Sequence, residues 1–137
     1  MMDFFAGAGF QHGGIRHLTP KEACVFCRNG AILVDVRESY LNRFKRFDVP
    51  EFLLFPFSEL KADFERLPAG RPLIFADACG LQSKEALICL LERNWPSPVA
   101  NLAGGLVEWE RDELPLVIDT GERLSGSCMC QLRPREK

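Results

Sequence analysis

The stretch LIFADACGLQSKEAL, residues 73–87, passes from an apolar run through a loop of small residues into a helical pattern. A turn of this kind presents a row of backbone N–H groups at the helix N-terminus, a natural seat for an anion or a charged nucleophile. Two side chains compete for that seat. Asp77 stands where the apolar run ends, and Cys79 follows two positions later inside the loop.

The same alternation of apolar run and helix extends in both directions. LTPKEACVFCRNG (18–30) offers Thr19 as N-cap, Pro20 at the first helical position and Gly30 as the stop. AILVDV (31–36), FLLF (52–55) and PLIFA (72–76) are apolar runs of the kind found in strands covered on both faces, and PVANL (98–102) adds a fourth strand. SELKADFERL (58–67) starts at a Ser58 cap and places Leu60, Phe64 and Leu67 on one face. Residues 83–94 make a helix with Ala86, Leu87, Leu90 and Leu91 inward. GLVEWERDEL (105–114) makes the last helix, packing Leu106 and Trp109 and stopping before Pro115. Strands alternating with helices predict a doubly wound parallel α/β sheet with helices on both faces. Ligands of such sheets bind beyond the carboxyl ends of the strands, where the 76–83 turn sits. The expected organisation is a leader over 1–17, one domain over 18–118 and a cysteine-bearing tail over 119–137.

The 137 residues are 47% hydrophobic and 26% charged, enough apolar content for one domain with its own core. A net charge of −2 gives no electrostatic case for nucleic acid or an anionic membrane. No apolar run approaches the roughly 18 residues that a spanning helix needs. The first residues lack a basic n-region and their apolar positions are broken by glycines, so no signal peptide and a cytoplasmic location are expected. Six cysteines in a chain with this much apolar content argue against a disulfide scaffold. Cys89, within ALICLL (86–91), and the Cys24/Cys27 pair on the first helix read as packing residues. Cys128 and Cys130, in SGSCMCQ (125–131), are different, because two thiols one residue apart in a polar tail are seldom needed for packing. They can close a small strained disulfide or relay sulfur, whereas two thiolates leave a tetrahedral zinc half-coordinated. No cofactor and no metal is expected. His12 and His17 stand too isolated to assign.

Three stretches together resemble the rhodanese (sulfurtransferase) family over about residues 18–118. AILVDVRESY (31–40) is similar to the family's strand ending in Asp-x-Arg. NLAGGLVEWERDELPLV (101–117) is similar to its closing segment, with two glycines, a tryptophan four residues after the second, and a proline beyond. IFADACGLQSKEA (74–86) occupies the place of its active-site loop. The resemblance implies a five-stranded parallel sheet between helices. It also implies a loop whose backbone amides surround a nucleophilic cysteine carrying sulfur as a persulfide. The loop departs from the usual Cys-x-x-Gly-x-Arg-Ser. With Gly80 and Ser83 aligned on the family's glycine and serine, Asp77 falls on the cysteine and Gln82 on a position often basic, and Cys79 comes two positions late. The family's Gly-His-Ile-Pro-Gly-Ala run is reduced to FDVPEFL (47–53), without a histidine.

Two functions follow from the two candidates for the seat. If Asp77 accepts the loop's amides, the protein's own charge fills a cradle made of Asp77, Ala78, Cys79, Gly80, Leu81, Gln82 and Ser83. The domain is then a binding or regulatory module linked to sulfur or redox handling, its partner a protein or a sulfur-containing small molecule. If Cys79 is a displaced nucleophile, or the tail pair carries sulfur, the protein is a sulfurtransferase. The amides converge on the loop's root and a carboxylate beside a thiolate opposes it, so the first reading is preferred. A phosphate-accepting aspartate needs a metal and further acids, which nothing near Asp77 supplies. Asp35 and Arg37 read as structural support beside the site. Trp109, Phe52, Phe55 and Phe64 read as core.

Overall fold

The computed structural model of the chain describes residues 4–119. In chain order the elements are β1 (Phe10–His12), β2 (Ile15–Leu18), α1 (Pro20–Arg28), β3 (Ile32–Asp35), α2 (Ser39–Asn42), β4 (Lys45–Phe47) and β5 (Phe52–Leu54). They continue with α3 (Phe57–Asp63), β6 (Leu73–Ala76), α4 (Leu81–Glu92), β7 (Val99–Leu102), α5 (Gly105–Arg111) and β8 (Leu116–Ile118). The main sheet runs β1-β2-β7-β6-β3-β5, parallel from β2 to β5, with β1 antiparallel at the edge.

Side-chain alternation on the strands builds two cores. Leu33, Ile74 and Ala76 face Ala23, Cys24 and Cys27 of α1 and Leu106 and Trp109 of α5. Ile32, Val34, Leu73 and Phe75 face Leu60 of α3 and Ala86, Leu87 and Leu90 of α4. Every residue of β3 and β6 is buried, which is why both read as unbroken apolar runs. The doubly wound parallel sheet expected from the sequence is therefore the fold. Thr19 caps α1 as expected, its hydroxyl accepting from the Glu22 N–H at 3.2 Å while Glu22 reaches back to the Thr19 N–H at 2.9 Å. The Thr19 N–H, with that of Gly9, holds the Glu22 carboxyl below its ordinary range. Burial pushes the Cys27 thiol up to about 12, so it packs in its neutral form.

The leader requires correction. β2 is the fifth parallel strand, and β1 adds an antiparallel sixth to the five expected. Gly13 and Gly14, both at positive φ (62° and 79°), make the two-residue turn between them, a conformation that favours glycine at both positions. Phe5 is fully buried, its ring 5.1 Å from that of Phe26 on α1. Smaller differences have local causes. Helix α3 begins after Pro56, and Ser58 instead donates to Glu38 Oε1 at 3.2 Å. Helix α4 starts at Leu81, two residues ahead of Ser83, and carries Leu91 on its exposed side, with Cys89 half-buried. Strands β4 and β8 pair in a separate two-stranded ribbon, too short to leave a period in the sequence. Among the described residues no helix is long and apolar enough to cross a membrane.

If residues 4–18 belong to the folded unit, Phe5→Ala will lower stability by about 3–5 kcal/mol in urea unfolding. A loss under about 1 kcal/mol would return them to a dispensable leader.

Candidate functional site

The loop between β6 and α4 is fixed by its own turn and by the start of α5. Gly80 adopts φ +94°, and a Cβ there would meet the Gly104 N at 3.0 Å and the Leu102 O at 3.2 Å. Gly105 sits still closer, since a Cβ on it would stand 2.5 Å from the Asp77 O and 2.7 Å from the Cys79 N. That proximity lets the first amides of α5 reach the loop, Leu106 N–H donating to the Asp77 carbonyl at 2.8 Å and Val107 N–H to the Ala78 carbonyl at 3.0 Å. Of the two glycines of the closing segment, Gly105 thus serves close backbone approach, whereas Gly104 takes a positive φ and leaves room for the Glu108 side chain.

Asp77 is buried at 4% exposure, directly beyond the end of β6. The N–H of Gly80 donates to its Oδ1, and the N–H of Gln82 donates to its Oδ2 at 2.9 Å. The Ser83 hydroxyl stands 3.3 Å from Oδ1. A buried carboxylate has to be met by donors, and here the first turn of α4 supplies them. Cys79 is exposed to solvent on the same loop. Leu81 and Gln82 are exposed as well, whereas Gly80 and Ser83 are buried.

Behind Asp77 lies a polar chain that sequence reading did not assemble. Ser83 Oγ bonds Asn101 Oδ1 at 2.5 Å, and Asn101 Nδ2 donates to the Gly80 carbonyl at 3.2 Å. The same Nδ2 lies 3.2 Å from Nδ1 of His17, which pairs with Asn101 across β2 and β7. The Gly80 carbonyl only accepts, so it fixes the amide nitrogen of Asn101 on that side. His17 Nδ1 is then an unprotonated acceptor. Burial, reinforced by the charges of Lys84 and His12, holds His17 below its ordinary value of 6.5. The available signal was Asn101 itself, a polar residue within an otherwise apolar strand.

Asp35 and Arg37 form a buried pair one strand away. Arg37 Nη2 bonds Asp35 Oδ2 at 2.9 Å and the Lys45 carbonyl at 2.8 Å, and Asn42 Nδ2 donates to the same Oδ2 at 2.9 Å. These bonds tie β3 to α2 and β4, and Val36 N–H, donating to the Ala76 carbonyl at 2.9 Å, joins that frame to the end of β6. Cys128 and Cys130 lie outside the described residues. Cys24 and Cys27 are in the core under α1, apart from the loop.

The family model of the rhodanese-like domain matches residues 21–112. The chain is also 30% identical, over 105 residues, to the thiosulfate sulfurtransferase GlpE of Haemophilus influenzae, an alignment spanning 74% of this chain and 93% of that protein. The chain belongs to the rhodanese-like domain family. Among solved structures, a rhodanese-related protein from Thermoplasma volcanium matches with a TM-score of 0.66 at 20% identity, over 76% of this chain and 99% of that one. The thiosulfate sulfurtransferase from Pseudomonas aeruginosa matches with a TM-score of 0.64 at 25% identity, over 76% of this chain and 20% of that one.

In this rhodanese-like domain the clamp between α5 and the loop has a direct test. Gly105→Ala forces a side chain onto positive φ and into the Asp77–Cys79 backbone. It will cost at least about 1–3 kcal/mol, with faster amide hydrogen exchange at Gly80 and Gln82. Unchanged exchange at both amides would show that the loop holds its shape without α5.

Proposed function

We propose that this rhodanese-like domain does not form a persulfide at its loop and serves as a binding or regulatory module linked to sulfur or redox handling. Its partner is a protein or a sulfur-containing small molecule. The observation that carries the reading is the Asp77 carboxylate, buried and bonded to the N–H groups of Gly80 and Gln82. In a sulfurtransferase of this family, those amides serve the sulfur-bearing cysteine. Asp77 stands in that cysteine's place, and a charge already seated there repels thiosulfate and occupies the Gly80 and Gln82 amides. Gln82, where a cation often assists, gives Asp77 only its backbone N–H and brings no positive charge to offset the repulsion.

A second reading keeps the activity and moves the nucleophile. It is favoured by the exposure of Cys79 two residues before the start of α4. Cys128 and Cys130 are the other thiols it could use.

Cyanide-dependent thiosulfate turnover separates the two. The module reading predicts no turnover by the full chain and no effect of Cys79→Ser. Turnover abolished by Cys79→Ser, or by replacing Cys128 and Cys130 with serine, would establish the enzyme instead. Asp77→Cys should gain what the native loop lacks: its thiolate attacks the outer sulfur of thiosulfate, the S–S bond breaks, and sulfite leaves. Intact mass spectrometry will then show one added sulfur atom that Cys79→Ser in the same chain does not remove. No added sulfur and no gain in thiosulfate affinity would mean that Asp77 is not what closes the site.

A further inference from the structure

The polar chain behind the loop ends on a titratable ring that the proposed function does not use. His17 is 7% exposed, stacked on Phe10 with ring centroids 5.1 Å apart, and joined to Asn101 through Nδ1. The titratable groups acting on the ring are His12, from β1, and Lys84, from α4. Among the described residues no carboxylate acts on the ring, and the hydrogen bond with the His12 backbone that favours its charge is outweighed by burial and the two neighbouring cationic groups. Its link to the loop is Asn101, which spends its amide nitrogen on His17 and the Gly80 carbonyl and its oxygen on Ser83.

We propose that His17 is a proton switch for the loop, in which protonation of Nδ1 reverses the Asn101 side-chain amide and exchanges the hydrogen bonds holding Gly80 and Asp77. The inference takes the seated Asp77 of the proposed function as its starting point and adds regulation to it.

The sequence of exchanges follows from donor and acceptor counting. A proton on Nδ1 makes it a donor facing another donor, the Asn101 Nδ2, and two donors cannot bond. Turning the amide over presents Oδ1 to the imidazolium and restores that contact. The nitrogen now faces Ser83 Oγ, which becomes an acceptor there. The single hydroxyl hydrogen of Ser83, drawn toward Asn101 Oδ1 at 2.5 Å in the neutral state, is freed for Asp77 Oδ1, now 3.3 Å away. The Gly80 carbonyl loses its donor in the same move. One proton taken up on β2 thereby tightens the Ser83–Asp77 bond and releases the carbonyl at the loop's turn. The sign is fixed by burial. Because the folded ring takes up a proton less readily than the unfolded chain, its stabilising contribution is complete above pH 6.5 and declines as the pH falls through the folded midpoint.

Heteronuclear NMR of the full chain between pH 4.5 and 8 tests the coupling, reading midpoints rather than absolute shifts. The His17 ring should titrate below 6.5, with the Gly80 and Gln82 amide resonances following the same midpoint. His17→Gln removes that inflection from both amides. Lys84→Gln, which removes a positive charge from a half-buried position on α4, moves the ring and loop midpoints upward together and decides the matter if His17→Gln fails to fold. The proposal is overturned if the ring titrates while the loop amides stay constant, if the inflection persists in His17→Gln, or if Lys84→Gln moves one midpoint without the other. Sulfur-transfer assays do not enter this measurement, so an active loop would refute the module and leave the switch standing, and an uncoupled His17 would do the reverse.

Discussion

The bond between the Asp77 carboxylate and the amides of Gly80 and Gln82 couples the end of a buried strand to the first turn of the next helix. A carboxylate 96% removed from solvent is tolerated only with donors in place, and a helix start supplies them at no cost to its own ladder. Removing the carboxylate would leave both amides turned toward an empty centre. Removing the amides would strand a buried charge. Each partner therefore holds the other, and the loop between them has little freedom left.

The rest of the fold is arranged to keep that loop where it is. The central position of β6, between β7 and β3, fixes Asp77 in the middle of the sheet's carboxyl edge. Gly105 brings α5 against the loop backbone, and Trp109 anchors the helix in turn, fully buried with Nε1 donating to the Pro115 carbonyl at 2.8 Å. On the other side the Asp35–Arg37–Asn42 set braces the end of β3. It is a buried ion pair with further hydrogen bonds to Asn42 and the Lys45 carbonyl, an arrangement that orients neighbouring elements more than it adds net stability.

Much of this was legible in the sequence, and the failures have physical reasons. Strands covered on both faces announce themselves as unbroken apolar runs, so β3 and β6 could be read directly, and the Thr19–Pro20 pair marked the start of α1. Strand β2 could not be read in that way, because its four residues, IRHL, hold an arginine and a histidine whose burial depends on partners distant in sequence. Asp77 was identified as the rival of Cys79 from its position after an apolar run. Its connection to Ser83, Asn101 and His17 was invisible, since the two ends of that chain lie 60 residues apart (77 − 17) and meet only through the register of β2, β7 and β6.

A structure of Asp77→Gly grown with thiosulfate tests the central claim most directly. The account predicts an oxyanion in the space vacated by the carboxylate, within hydrogen-bond distance of the Gly80 and Gln82 amides, and no such anion in the native chain under the same conditions. An anion bound in the native loop beside an outward-turned Asp77, or a vacated loop that binds none, would contradict it.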